Sequence, residues 1–176
     1  MHLRDKNKNI FDKKEFGHWE GDSVIGRQTK GKIIHTEVER KTRLLKARIA
    51  SDKSSIKTIN AQIKIFTTIP KKARKSTTLD NGLEFAKHFI LWQFGTMTYF
   101  ADPYSSWQRG SNEYHNGLIR RYLPKKTSFN NLDQQELDDI TEEINNRPRK
   151  VLKFSTPKEA FQHELRVKGG AIPSRM

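Results

Sequence analysis

Three short strand-like runs precede the first stretch with helical period, and strands and helices alternate after it. That order leaves few architectures open. Gly17 to Ile25 reads as a first strand ending at Gly26. Ile33 to Val38 and Leu44 to Ile49 read as two more, joined by the polar turn Glu39-Arg40-Lys41-Thr42, which suits an antiparallel hairpin. Ile56, Ile59, Ile63 and Phe66 then make an apolar stripe at helical spacing, with Ser54 or Ser55 positioned to cap it and Pro70 beyond its end. Thr77-Thr78-Leu79 is a short strand that delivers Asp80 to its end. A helix over about residues 83–93 and a strand at Met97–Ala101 follow. The expectation is an α/β domain with a mixed sheet, antiparallel on one side and parallel where strands alternate with helices. An RNase H-like fold has this order, with acids at adjacent strand ends and a last acid on a following helix.

That last acid falls on the next helix. Ser105 and Gln108 fit a capping box, Trp107, Tyr114, Leu118 and Tyr122 form its apolar stripe, and Pro124 ends it. Glu113 lies off the stripe, on a face shared with Arg109, Asn116, Gly117 and Arg120. The aromatic residues of the stripe read as core rather than as platforms for stacked bases. A further helix runs from about Leu132 to Asn145 with Leu137, Ile140 and Ile144 inward, and Thr156-Pro157-x-Glu159 opens a last short one. Residues 1–16 read as a linker or arm, 17–165 as one catalytic-size core, and 166–176 as a basic, disordered tail.

The 176 residues suffice for one buried core. Lys and Arg number 34 against 20 Asp and Glu, a formal charge of +14, so a polyanionic partner is expected, because neutralising phosphates releases counterions. Charge alone does not choose between DNA, ribosomal RNA and an acidic membrane. The chain has no cysteine, hence no disulfide or thiolate metal site. Its amino-terminal residues hold no apolar signal core, and no run approaches the ~18 apolar residues of a membrane span, so no membrane partner is expected. The histidines show no metal-site spacing, and no Gly-rich phosphate loop supports nucleotide hydrolysis.

Within this cationic chain three carboxylates have distinctive settings: Asp22 in Trp19-Glu20-Gly21-Asp22, Asp80 in Leu79-Asp80-Asn81-Gly82, and Glu113 in Gly110-Ser111-Asn112-Glu113. If they converge, they can hold two Mg²⁺ ions that clamp the attacking and leaving oxygens of a phosphodiester. Taken singly, each has an ordinary reading. Most acids are solvated surface, Asp-Asn-Gly is turn chemistry, and Glu20, two residues before Asp22 on the same strand face, competes with it as first ligand. The basic tracts Lys71-Lys72-Ala73-Arg74-Lys75, Arg120-Arg121, Lys125-Lys126 and Arg147-x-Arg149-Lys150 are candidate phosphate contacts.

Longer motifs sharpen this reading. Trp19-Glu20-Gly21-Asp22, Glu39-Arg40-Lys41-Thr42-Arg43, Asp80-Asn81-Gly82-x-Glu84-Phe85-Ala86-x-His88, and the block from Tyr99 through Trp107-Gln108-Arg109-Gly110-Ser111-Asn112-Glu113 resemble the DDE transposases of the bacterial insertion sequence 30 family. So do Asn116-Gly117-Leu118-x-Arg120, Asn146-Arg147-Pro148-Arg149-Lys150 and Thr156-Pro157-x-Glu159. The resemblance implies an RNase H-like core with Asp22, Asp80 and Glu113 as catalytic triad and ligands of two Mg²⁺ (or Mn²⁺) ions. It implies double-stranded DNA as partner, both transposon ends and target, and a homo-oligomer on that DNA. It also implies a bacterial cytoplasmic location, on the nucleoid when bound. Arg109, Asn116, Arg120, Arg121, Lys125, Lys126, Arg147, Arg149 and Lys150 are the expected DNA-binding set, with Asn116 orienting Glu113 or a metal-bound water. Three departures stand out. Thirty-two residues separate Asp80 from Glu113, one fewer than is usual; Ser106 replaces a usual proline; and only about 16 residues precede the catalytic block, where the family carries a helix-turn-helix region. A catalytically silent DNA-binding remnant and an RNase H-type nuclease are the alternative functions.

Overall fold

The computed structural model describes residues 13–27, 31–102 and 110–167. Five strands, β1 (His18–Ile25), β2 (Ile33–Glu39), β3 (Leu45–Ala50), β4 (Ser76–Leu79) and β5 (Met97–Phe100), form one sheet in the order β3-β2-β1-β4-β5. The β1–β2 and β2–β3 pairs are antiparallel, and β1–β4 and β4–β5 are parallel. Strand β1 thus joins the hairpin arm to the parallel arm, as expected of a mixed sheet. Four α-helices accompany it among the described residues: α1 (Ser55–Thr67), α2 (Gly110–Tyr122), α3 (Gln134–Asn145) and α4 (Pro157–Val167).

Alternation along the strands divides the core in two. Val24, Ile34, Val38, Leu45 and Ala47 pack against Leu118 and Ile119 of α2 and Leu137, Ile140 and Ile144 of α3. Across the sheet, Trp19 packs with Phe16, Phe66 of α1 and Phe161 of α4. The outer strand β3 is not left open. The Asn145 side chain accepts from Leu45 N and donates to Leu45 O, both at 2.9 Å, and Gln134 Oε1 accepts from Ile49 N. Helix α3 therefore occupies backbone groups that an edge strand would otherwise offer to another chain.

Local signals account for the helix starts. Ser54 accepts from Lys57 N at the head of α1, and Asp133 accepts from Glu136 N at the head of α3. The Thr156–Glu159 box closes in both directions at 2.8 and 3.2 Å.

Several expectations are corrected. Ile56 is half exposed, because the inward face of α1 runs through Thr58, Ile59, Gln62, Ile65 and Phe66. Tyr114 is likewise exposed, since α2 turns Ser111, Asn112, His115, Leu118 and Ile119 inward. The helix expected over 83–93 is two 3₁₀ segments, Leu83–Phe85 and His88–Phe94. Its apolar residues do not form one stripe: Leu83, Phe89 and Trp92 are exposed, while Phe85 and Leu91 are buried. His88 Nδ1 and Trp92 Nε1 both reach Thr98 Oγ1, which ties the segment to β5. Phe16, read as part of an arm, is fully buried beside Phe161. The Ser105–Gln108 capping box and Trp107, and the tail from 168 onward, lie outside the described residues.

Candidate active site

The parallel pairing of β1 and β4 aligns the two strands from which the aspartates follow. The register pairs His18 with Ser76, Trp19 with Thr77 and Glu20 with Thr78. Asp22 and Asp80 each follow the last pair of that ladder by two residues, toward the carboxyl ends of the parallel strands, where functional groups commonly lie. Gly21 allows the close pairing of β1 and β4. A Cβ there would lie 2.6 Å from Leu79 Cδ2 and 2.7 Å from Glu37 Oε1, both buried. Glu37 has no slack to yield, since its carboxylate accepts from Gln62 Nε2 and Thr77 Oγ1 and meets His35 Nε2 at 2.9 Å.

Asp22 is held from two sides. Its Oδ1 accepts from Ser23 N at 2.9 Å, and its Oδ2 accepts from Asn116 Nδ2 of α2 at 2.9 Å. Asn116 Oδ1 in turn accepts from Thr36 Oγ1 on β2. Asp80 Oδ1 accepts from Gly82 N at 2.8 Å, the turn chemistry of Asp-Asn-Gly, so here the turn and the site use the same residue. Helix α2 runs along β1: Ser111 and Asn112 lie at Glu20, Asn116 at Asp22, and Arg120 Nη2 reaches Ile25 O. Glu113, three residues before Asn116, therefore lies one turn away on the neighbouring part of that helix, and it is exposed. Among the described residues, no three acidic or histidine side chains meet closely enough to hold a metal ion.

Glu20, the competitor for Asp22, has a different task. It is fully buried, paired with Arg40 Nε at 3.0 Å, and accepts from Ser111 N at 3.0 Å and Asn112 N at 3.1 Å. It thus satisfies the first orphan amides of the helix that carries Glu113. The two other carboxyls near the site differ from one another. Glu84 is buried and paired with Lys53 at 3.0 Å, whereas Asp102 follows β5 one strand outside Asp80 and is half-buried.

The basic residues scatter more widely. Arg120 lies over the Phe129 ring, and burial pushes its guanidinium down from its ordinary value. Arg147 bonds Tyr122 Oη and Glu143, and Arg149 donates to Tyr114 Oη and Ile144 O. Arg121, Lys125, Lys126 and Lys150 are exposed. Arg109 lies outside the described residues. Asn116 touches Asp22 rather than Glu113.

No protein-family model matches the chain. It is 44% identical over 161 residues to transposase InsI for insertion sequence element IS30A of Escherichia coli (strain K12), a match covering 91% of this chain and 42% of that protein. It is homologous to the IS30-family transposases. A second relative, the transposase for insertion sequence element IS4351 of Bacteroides fragilis, is 37% identical over 172 residues, covering 97% of this chain and 52% of the relative. This IS30 homologue thus spans about half or less of the length of these relatives. Its fold resembles the catalytic core domain of BIV integrase, with a TM-score of 0.65 at 17% identity, covering 88% of this chain and 99% of that one. That likeness bears on the fold alone and establishes the RNase H-like architecture.

Sequence reasoning missed two contributors to the site of this IS30 homologue, Thr36 and Arg40, and read a third, Glu20, only as a competitor of Asp22. Thr36 is positioned only by the β1–β2 register, which sets it opposite Asp22. Arg40 reads as a turn residue yet is buried beneath α2, and the signal for Glu20 was its two-residue spacing from Asp22, which put both on one strand face. Among the described residues no helix is long and apolar enough to cross a membrane.

Proposed function

We propose that this domain is the catalytic core of a DNA transposase, cutting and joining DNA strands at a site made by Asp22, Asp80 and Glu113. The observation that carries the reading is the parallel β1–β4 ladder, with Asp22 and Asp80 each two residues beyond its last pair and Asn116 of α2 bonded to Asp22. Carboxylate oxygens are hard donors and suit Mg²⁺ or Mn²⁺, two ions in this reading. When bound, such ions activate the attacking water or 3′-hydroxyl and stabilise the leaving oxygen. Asn116 and Ser23 N fix the orientation of the Asp22 carboxylate, and Gly82 N does so for Asp80. Glu113 supplies the third carboxylate from the first turn of α2, whose register along β1 is set by Glu20 and Asn116. Double-stranded DNA is the partner, and the +14 charge favours it over neutral ligands. A homo-oligomer on DNA, in a cell interior, completes the reading.

A second reading, a catalytically silent DNA-binding remnant, is favoured by the absence of a three-carboxylate metal group among the described residues. The two readings separate in a strand-transfer assay with a labelled duplex bearing a 3′-hydroxyl, run with Mg²⁺, with Mn²⁺ and with EDTA. Metal-dependent joining, lost in Asp22→Ala, Asp80→Ala and Glu113→Ala while DNA binding persists, supports the transposase core. Binding without joining under any metal supports the remnant. Preference for an RNA–DNA hybrid would instead mark a nuclease. Near-normal joining by Glu113→Ala would transfer the third role to Asp102 or Glu84.

A further inference from the structure

Beside the amino-terminal turn of α2, on the side carrying Ser111 and His115, lies a cavity of about 360 Å³, within the range of ligand pockets. Among the described residues that line it are the cations Lys13, Arg43 from the β2–β3 turn, and Arg149 and Lys150 from the segment after α3, and no acid. Glu113, Asn116 and Arg120 belong to other parts of the helix circumference and do not line it.

Three observations separate this cluster from an ordinary solvated face. Arg43 is held in place, its Nη1 donating to Ser111 Oγ at 2.7 Å and its backbone fixed at φ +64°. Arg149 is likewise fixed over the Tyr114 ring and by its bond to Ile144 O. The Nε–H groups of Arg43 and Arg149 are both buried without an acceptor among the described residues, a condition that native structures rarely leave unexplained. Finally, among the described residues the nearby carboxylates have other direct partners. Glu20 is committed to Arg40 and to two backbone amides, and Glu39 is committed to the turn amides of Lys41 and Thr42. Desolvation, with repulsion from Arg43 and Arg40, pushes the Lys13 ammonium below its ordinary value despite the opposing pull of Glu20.

We infer that this cavity is a phosphate-binding subsite, taking a phosphodiester or a phosphate anion between Lys13, Arg43, Arg149 and Lys150. Guanidinium forks and ammonium groups suit phosphate oxygens, and an anion here would meet the buried Nε–H groups of Arg43 and Arg149. The site lies to one side of the proposed catalytic acids, so a nucleic acid bound there would be gripped away from the scissile bond. That the phosphate belongs to a DNA backbone rests on the transposase reading; the phosphate chemistry does not.

The test uses the full chain and inorganic phosphate, followed by NMR through the ring signals of His115, which lines the cavity. Saturable shifts of those signals are expected, and Lys13→Gln with Lys150→Gln should weaken phosphate at least tenfold without changing the melting temperature. A short duplex that displaces the phosphate identifies the DNA backbone as the source; phosphate binding that duplex leaves untouched identifies a free-anion site. Unmoved His115 signals, or equal affinity in the double variant, overturn the inference. A failure of metal-dependent strand joining would leave these results unaffected and would count only against the catalytic reading.

Discussion

Replacing Glu20 by Gln tests the link between core and site most directly, because it keeps the side-chain shape and removes only the charge. The lost partner is Arg40, whose Nε lies 3.0 Å from Glu20 Oε1 with both side chains essentially sealed from solvent. Screening that makes surface pairs weak therefore does not apply. Stranding one member of a buried pair costs about 3–5 kcal/mol. The amides of Ser111 and Asn112 can still find the remaining amide oxygen, so their loss adds little. Against a domain stability of roughly 5–15 kcal/mol, this is a large share. For a chain of this size it corresponds to a fall in Tm of roughly 10 °C. Urea and thermal unfolding of the wild type, Glu20→Gln, Arg40→Met and the double variant measure it as a double-mutant cycle. The double variant should recover much of the loss, since neither charge is then left unpaired. Strand joining should stay impaired in Glu20→Gln and in the double variant, because there the amino-terminal turn of α2 has lost its charged anchor. A Glu20→Gln protein within about 0.5 kcal/mol of wild type would refute the reasoning.

Other substitutions probe separate contacts. Gly21→Ala forces a Cβ against Leu79 and Glu37 and should cost about 1–3 kcal/mol in urea unfolding; an unchanged midpoint would mean that β1 and β4 can shift apart. Asn116→Ala removes the donor to Asp22 and should raise the Mg²⁺ concentration needed for half-maximal joining several-fold with little change in Tm, whereas an unaltered metal titration would make Asn116 a bystander. His115 is pushed down to about 4 by burial first, then by the nearby Arg149 and Arg43 charges, against the pull of the Ser111 carbonyl. Its stability contribution is complete above the ordinary histidine value of about 6.5. As pH falls towards 4 the unfolded chain takes the proton first, and about 3 kcal/mol is lost. His115→Gln should flatten the pH dependence of unfolding between 6.5 and 4, and an equally steep profile in the variant would sink that assignment.

The amino-acid sequence by itself determined the order of the strands and of most helices, the 83–93 segment excepted. Period-two and helical spacing are local properties, so the hairpin, α1, α3 and the Thr156–Glu159 box could be read from neighbours alone. The motifs also singled out Asp22, Asp80 and Glu113 as the acids to watch. Side-chain direction around a helix was less legible, because the partners that pack on α1 and α2 select inward faces offset from the apolar stripes and leave Ile56 and Tyr114 exposed. What the tertiary structure decided is how residues distant in the chain meet. The parallel register of β1 and β4 aligned the strands that lead to Asp22 and Asp80, and the packing of α2 on β1 gave Asn116 to Asp22 and Glu20 to the helix amides. No local pattern encodes such pairings. They follow from burying two apolar faces on one twisted sheet, which leaves Glu20 and Arg40 no solvent and makes each the other's partner.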